Sequence, residues 1–418
     1  MKPIGLRGKW RLRLVFANLA LAAACLAQSD PIALGELPRE AISARYDQLF
    51  KGVDKPSSDP VDVKLYKLRY PSTDFNGKPV SLSGLLAYPK GPCKGLVLYF
   101  HGTTADRGNV PSRYDGDRDL SEAEYAVMAF ASGGYAVAAP DYLGLGDSPG
   151  IHPYALSRVN SRSGLDMIQP AFDALESAGI QTTNRIFISG YSEGGGVAMW
   201  AERLRQEQGL PVFRSAPLLG PYDLSGTQAH AMLADHSNFK WLGASVYFSA
   251  YAAYALQKLT GDFQLTDCFI TPFATYVPYV FGQKLDDVER AKKLSIKAWQ
   301  CGEFTSLRKI LKPSLQEALK ARDITHPVVA ALVKNDCYDW SPKSETYLVT
   351  VEDDFLVPKE NALRAVAAMR IRGVGPDVVR AYVIPGRKYN HISGLTPALI
   401  LARKFFDGGF AAVPSRTK

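Results

Sequence analysis

The sequence predicts an α/β protein: a mostly parallel sheet covered by helices on both faces, with a helical cap inserted between late strands. Three observations carry this. From about residue 80 to 225, short continuous apolar runs ending in glycine-rich turns alternate with segments of helical period, as strands buried on both faces and their covering helices do. From about Tyr222 to Trp340 the alternation stops and aromatic-rich helical segments take over. It then resumes to the end of the chain.

Residues 28–60 are polar and contain prolines, and are expected as a lead-in rather than a domain. "VDVKLYKLRYPS" alternates apolar and polar residues, and "VSLSGLLAYPK" follows after the turn "FNGKP", which makes a hairpin. "GLVLYFHG" and "YAVAAPDYLGLG" read as buried strands. Between them "SEAEYAVMAFASGGY" reads as a helix, with Ser121 as N-cap, Glu124 at the capping-box position and Gly133 as stop. "SGLDMIQPAFDALESAGI" is a helix interrupted by Pro170, "RIFISG" a strand, and "GGVAMWAERLRQEQG" a helix with Val197, Ala198, Ala201 and Leu204 on one face. "PVFRSAPLLGP" is the next strand. Beyond the insertion, "TYLVTVEDDFLVP" and "VVRAYVIPG" are strands, and "KENALRAVAAMRIRG" and "LTPALILARKFF" are helices. The expected organisation is a signal peptide over 1–27, the lead-in over 28–60, a core in two parts over 61–224 and 341–418, and the cap over 225–340.

Lys2, Arg7, Lys9, Arg11 and Arg13 precede the apolar run "LVFANLALAAACLA", which is short for a membrane span and ends in small residues, as an export signal does. Cleavage after Ala27 fits best and implies a secreted or periplasmic protein, with lipoprotein anchoring at Cys25 as the lesser alternative. That cleavage removes five cations and no anions, so the formal net charge falls from +8 to +3. No nucleic-acid partner is expected from such a balance, and no basic block with interleaved aromatics occurs elsewhere. Cys93, Cys268, Cys301 and Cys337 then remain, an even number in an oxidising compartment, where one or two disulfides are expected and buried free thiols are the alternative. No C-x-x-C or H-x-x-x-H spacing suggests a metal.

"FISGYSEGGGVAMW" places Ser192 at the join of a buried strand and a helix, flanked by Gly190 and Gly194. G-x-S-x-G is common by chance, but a nucleophilic serine on a sharp strand-to-helix turn needs that context. Asp354 and His391 each follow later strands. Ligands of such sheets bind at the carboxyl ends of the strands, so the three belong to one candidate site in the order Ser192, Asp354, His391. A serine hydroxyl needs an imidazole to take its proton and a carboxylate to orient that imidazole.

With these residues the sequence resembles an α/β-hydrolase. "HGTT" at 101–104, "GYSEGG" at 190–195, "DDFLVP" at 353–358 and "NHISG" at 390–394 match the family's landmarks. "PDYLGLGDS", "GPYDLSG", the long insertion and the export signal make it look like the secreted lipases and esterases. The resemblance implies Asp354 rather than Asp353 as the acid, since the acid stands four residues before the proline of "VP"; Asp223 in "PYDL" is the spare candidate. It also implies an oxyanion hole formed by the N–H groups of Glu193 and Thr103, with Thr104 as the alternative to Thr103. His101 is expected to fix its loop, Asp141 and Tyr142 to brace theirs, and His152 to sit near the site.

The implied activity is cleavage of a small-molecule or lipid carboxylic ester, with no cofactor and with transient contact to a lipid interface. A prolyl-type peptidase, an acyltransferase and a non-catalytic hydrolase-like binding protein are the alternatives. Tyr247, Tyr251 and Tyr254 lie on one helical stripe, which is core in most proteins. A cap must also turn some apolar surface to the cleft, and an aromatic wall there favours acyl or aryl groups.

Overall fold

The computed structural model describes residues 30–54, 59–117, 121–235, 239–303 and 305–414. The expected signal peptide and Cys25 lie outside the described residues.

Nine strands form one sheet: β1 (Ile32–Leu37), β2 (Val63–Thr73), β3 (Pro79–Pro89), β4 (Leu96–Phe100), β5 (Ala136–Pro140), β6 (Ile186–Tyr191), β7 (Arg214–Leu218), β8 (Glu345–Val351) and β9 (Val379–Ile384). Their spatial order is β1-β2-β3-β5-β4-β6-β7-β8-β9. The first three strands and the β3/β5 pair are antiparallel, and every later pair is parallel. The main helices are α1 (Arg39–Leu49), α2 (Glu122–Ala129), α3 (Ser157–Leu165), α4 (Ile168–Ser177) and α5 (Glu193–Glu207). Between β7 and β8 lie α6 (Ala229–Leu233), α7 (Phe239–Thr260), α8 (Leu265–Cys268), α9 (Thr271–Ala274), α10 (Tyr276–Phe281), α11 (Asp287–Gln300), α12 (Pro313–Ala321) and α13 (Pro327–Asn335). The chain closes with α14 (Glu360–Ile371) and α15 (Leu395–Gly408).

All five residues of β4 are buried, and their alternation splits them between two cores. Val97 and Tyr99 pack with α1, α2 and α15, while Leu96, Leu98 and Phe100 pack with α4 and α5. Each fully buried Leu or Val contributes roughly 1.5–3 kcal/mol relative to exposure, so a strand with two covered faces reads as a continuous apolar run. The insertion has a third core of its own, built from Val246, Leu256, Phe273, Leu294 and Leu315 among others. Among the described residues it contains no strand, only the isolated bridge of Phe269 with Leu311, as its sequence predicts.

Three expectations need correction. The polar lead-in carries β1, which pairs with β2, and α1, which buries Ile42 and Tyr46 against the core; so few apolar positions left little sequence signal. Ser121 does cap α2 by accepting the Glu124 N–H at 3.3 Å, but the left-handed stop is Gly134 at φ 90°, not Gly133. Gly133 instead leaves room for the buried Arg403, which a Cβ there would meet at 1.3 Å. Cys93, Cys268, Cys301 and Cys337 are all free. Cys268 and Cys337 are fully buried, as small apolar side chains are.

Candidate active site

β6 runs buried between β4 and β7 and delivers Ser192 at its carboxyl end. Ser192 has φ 58° and ψ −120°, a conformation L-residues rarely adopt. Its N–H donates to Leu218 O at 3.0 Å, and α5 starts at the next residue. The flanking glycines make the turn fit. A Cβ at Gly190 would stand 2.2 Å from Gly194 O, and one at Gly194 would stand 2.0 Å from Phe100 O.

The loop after β9 brings His391 to this serine, and the loop after β8 brings Asp354 to the histidine. His391 Nε2 lies 2.8 Å from Ser192 Oγ, and His391 Nδ1 lies 2.8 Å from Asp354 Oδ2 and 3.0 Å from Oδ1. Asp354 Oδ1 also accepts the N–H groups of Leu356 and Val357 at 3.0 and 2.8 Å. A carboxylate so held accepts the hydrogen bond of Nδ1–H, which fixes that tautomer and leaves Nε2 free to accept from the serine hydroxyl. The Tyr191 hydroxyl donates to the His391 carbonyl, fixing the histidine loop to the strand that carries the serine.

The other acids lie elsewhere. Asp353 and Glu352 are exposed. Asp223 is fully buried, but its carboxylate accepts from Thr227 N and Oγ1 and pairs with Arg364 at 2.9 Å.

Thr103 and Glu193 line one crevice with Ser192 and His391. Among the described residues neither of their N–H groups donates to a backbone carbonyl. Thr104 does not line the crevice; it is buried, and its hydroxyl is bound to Asp287 at 2.5 Å.

His101 fixes its loop as expected. Burial holds its imidazole below the usual range, and its short contact of 2.7 Å marks Nδ1–H as donor to Gly102 O. Asp141 braces its turn by accepting from Ser83 Oγ and Ser112 N, and the Tyr142 hydroxyl donates to His101 O at 2.9 Å. His152 Nε2 and Asn160 Nδ2 hold the Glu193 carboxylate at 3.0 and 3.1 Å, which anchors the residue after the serine.

Sequence reading missed Glu122, Asp287 and Asn160, whose partners are distant in the chain. Glu122 accepts from Tyr99 Oη and the Gly102 N–H. Removal from water pushes its carboxyl up to about 7, against the effect of those hydrogen bonds.

The tyrosine stripe of α7 is core rather than cleft wall. Tyr247 and Tyr251 are buried, and Tyr251 stacks on Tyr154 at 4.5 Å. Phe248 faces the crevice instead, and also lines an apolar cavity of about 140 Å³ between the insertion and the loop of Tyr154 and Ala155.

A nine-stranded, mostly parallel sheet with helices on both faces and Ser192 on a strained turn after β6 decides the fold. The chain has the α/β-hydrolase fold. The family model described as Secretory lipase matches residues 121–239 of the chain. A Legionella pneumophila protein is similar at 24% identity and a TM-score of 0.77, over 91% of this chain and 97% of that one. The rice cell wall degrading esterase LipA from Xanthomonas oryzae is similar at 22% identity and a TM-score of 0.75, over the same shares. Candida antarctica lipase A is similar at 14% identity and a TM-score of 0.59, over 84% of this chain and 79% of that one. No curated protein matches the sequence.

Proposed function

We propose that this α/β-hydrolase is a secreted serine hydrolase of carboxylic esters. The observation that carries the reading is the relay from Asp354 through His391 to Ser192, each contact 2.8 Å at its shortest, opening on a crevice. The Secretory lipase match and the similarity to an esterase and a lipase support the ester bond and export. Among the described residues no helix is long and apolar enough to cross a membrane.

In this reading Ser192 Oγ attacks the ester carbonyl as His391 Nε2 takes its proton. The N–H groups of Thr103 and Glu193 receive the oxyanion, where one donor is worth about 2.7–4 kcal/mol in a comparable site. His391 then gives the proton to the departing alcohol, and water, activated by the same imidazole, releases the acid from the acyl-enzyme.

The apolar cavity supports an acyl chain as the acid half. It shares Tyr154, Ala155, Leu224, Gln228, Met232 and Phe248 with the crevice, so an acyl chain leaving the Ser192 carbonyl has an adjoining apolar space to enter. Burying each CH₂ there contributes about 0.8 kcal/mol. Lipid esters thus fit the site, and contact with a lipid interface belongs to the same proposal.

Ser192→Ala should lower p-nitrophenyl butyrate hydrolysis by about 10⁶-fold. Turnover unchanged in that variant would remove the nucleophile, and preference for aminoacyl-proline amides over esters would move the enzyme to the peptidases.

A further inference from the structure

The loop that carries Thr103 is held by two carboxylates from different parts of the molecule. On the core side, Glu122 at the start of α2 accepts the Gly102 N–H at 3.0 and 2.9 Å. On the other side, Asp287 at the start of α11 accepts the Ala105 N–H at 2.8 Å and the Thr104 hydroxyl at 2.5 Å. A second contact from the insertion is the Tyr251 hydroxyl, which donates to Thr104 O at 3.2 Å. Asp287 is itself fixed by the Tyr247 hydroxyl at 2.7 Å and by the Arg290 guanidinium at 3.7 Å.

The geometry bears on one amide. The N–H of Thr103 belongs to the planar peptide whose carbonyl is Gly102 O, and that carbonyl is held by His101 Nδ1 at 2.7 Å. Fixing the carbonyl sets the direction of the N–H. The plane can still tilt if the chain on its far side is loose, and there the Thr103 side chain hydrogen-bonds to Tyr154 while Asp287 and Tyr251 hold Thr104 and Ala105. An oxyanion donor is effective only when it is aimed before the charge develops.

We propose that Asp287 is a positioning residue for the Thr103 N–H, so that the insertion helps to build the oxyanion hole as well as covering it. This rests on the proposed serine-hydrolase reading. Asp287 touches neither the ester nor the reacting oxygen; it acts through Thr104 and Ala105.

The test is steady-state kinetics of Asp287→Ala and Asp287→Asn with p-nitrophenyl butyrate, together with inhibition by an alkyl trifluoromethyl ketone, whose hemiketal oxyanion occupies the same hole. Active-site titration with a fluorophosphonate counts folded enzyme in each preparation. Displacing a donor by about 1 Å costs up to about 100-fold. Asp287→Ala should therefore lower kcat per titrated site by 10- to 100-fold with KM within twofold, and should weaken the ketone by a similar factor. Asp287→Asn, which keeps an acceptor for the Ala105 N–H, should fall between it and the parent. If Asp287→Ala does not fold, Thr104→Val reads the same contact and should lower kcat several-fold with matching loss of ketone affinity. A kcat within twofold of the parent, or a loss confined to KM, overturns the proposal. So does lower kcat with unchanged ketone affinity. Ser192→Ala run beside them separates the two readings: an active Ser192→Ala sinks the serine hydrolase, whereas an inactive one beside an unaffected Asp287→Ala sinks only the positioning role.

Discussion

At the carboxyl edge of the sheet, Ser192, Asp354 and His391 each hydrogen-bond to another residue of the edge, whereas across the crevice the insertion presents Met232 and Phe248. One side is polar, and its groups are held at strand ends by directed hydrogen bonds. The other is apolar and helical, and its contacts are non-directional. The difference teaches where each property of the site resides. In the proposed reading, reactivity depends on the geometry of a few directed bonds at the edge, and preference among esters on the shape of the apolar volume behind Phe248. The two meet at residues 102–105, where an acid from each side grips the same loop.

The largest effect should come from the edge. Asp354→Asn leaves the shape of the site but offers His391 Nδ1 an amide, which favours the wrong tautomer. We expect kcat for p-nitrophenyl butyrate to fall by about 10⁴-fold. A loss under tenfold would mean that the histidine is oriented by something other than this carboxylate.

A smaller effect should come from deeper in the sheet, where charge rather than reactivity is at stake. Glu202 on α5 is fully buried against Thr346 of β8, with Oε1 accepting its hydroxyl at 2.7 Å and the Ser215 side chain beside the carboxyl. Burial pushes its carboxyl up to about 7. In the folded protein it is therefore still protonated where the unfolded chain has already released that proton. Its contribution to stability is complete below the ordinary value of 4.5 and is lost as pH rises toward about 7. Glu202→Gln should flatten the decline of the urea midpoint between pH 5 and 8, by on the order of 2 kcal/mol in unfolding free energy. Parallel profiles for parent and variant would show that this acid is not the source of the decline.

The smallest effect should come from the insertion. Ala252 of α7 lines the cavity, and Ala252→Phe should shorten it. We expect kcat/KM for p-nitrophenyl octanoate to fall about tenfold while butyrate changes little, as a hydrophobic pocket discriminates by one to a few methylenes. Equal loss on both esters would place the acyl chain elsewhere and break the division between the two regions.

The same division explains what was legible in the sequence. Gly190, Ser192 and Gly194 could be read because a close-packed turn tolerates few residue types, and His391 and the acidic pair 353–354 because each follows an apolar strand; Asp354 was singled out from Asp353 only by the resemblance. Helices covering a parallel sheet show their period, so α2, α5, α14 and α15 emerged within a few residues of their ends. The strand β1 did not, since an edge strand with exposed and half-buried positions carries little alternation. Within the insertion the helices were visible but their facing was not. Tyr247, Tyr251 and Tyr254 share a stripe, yet which side meets the cleft depends on neighbours from α10 and α11 that sequence spacing does not fix. Asp287 and Glu122 were missed for a related reason: each looks like an ordinary acid in the first turn of a helix, and its partner lies 182 or 20 residues away.

The unbridged sulfurs set the terms on which this chain reaches its native state. Cys93, Cys268, Cys301 and Cys337 stay unlinked, and three of them are sealed in apolar surroundings. Among the described residues the architecture is thus held by packing and hydrogen bonds, with no covalent link between distant parts of the chain.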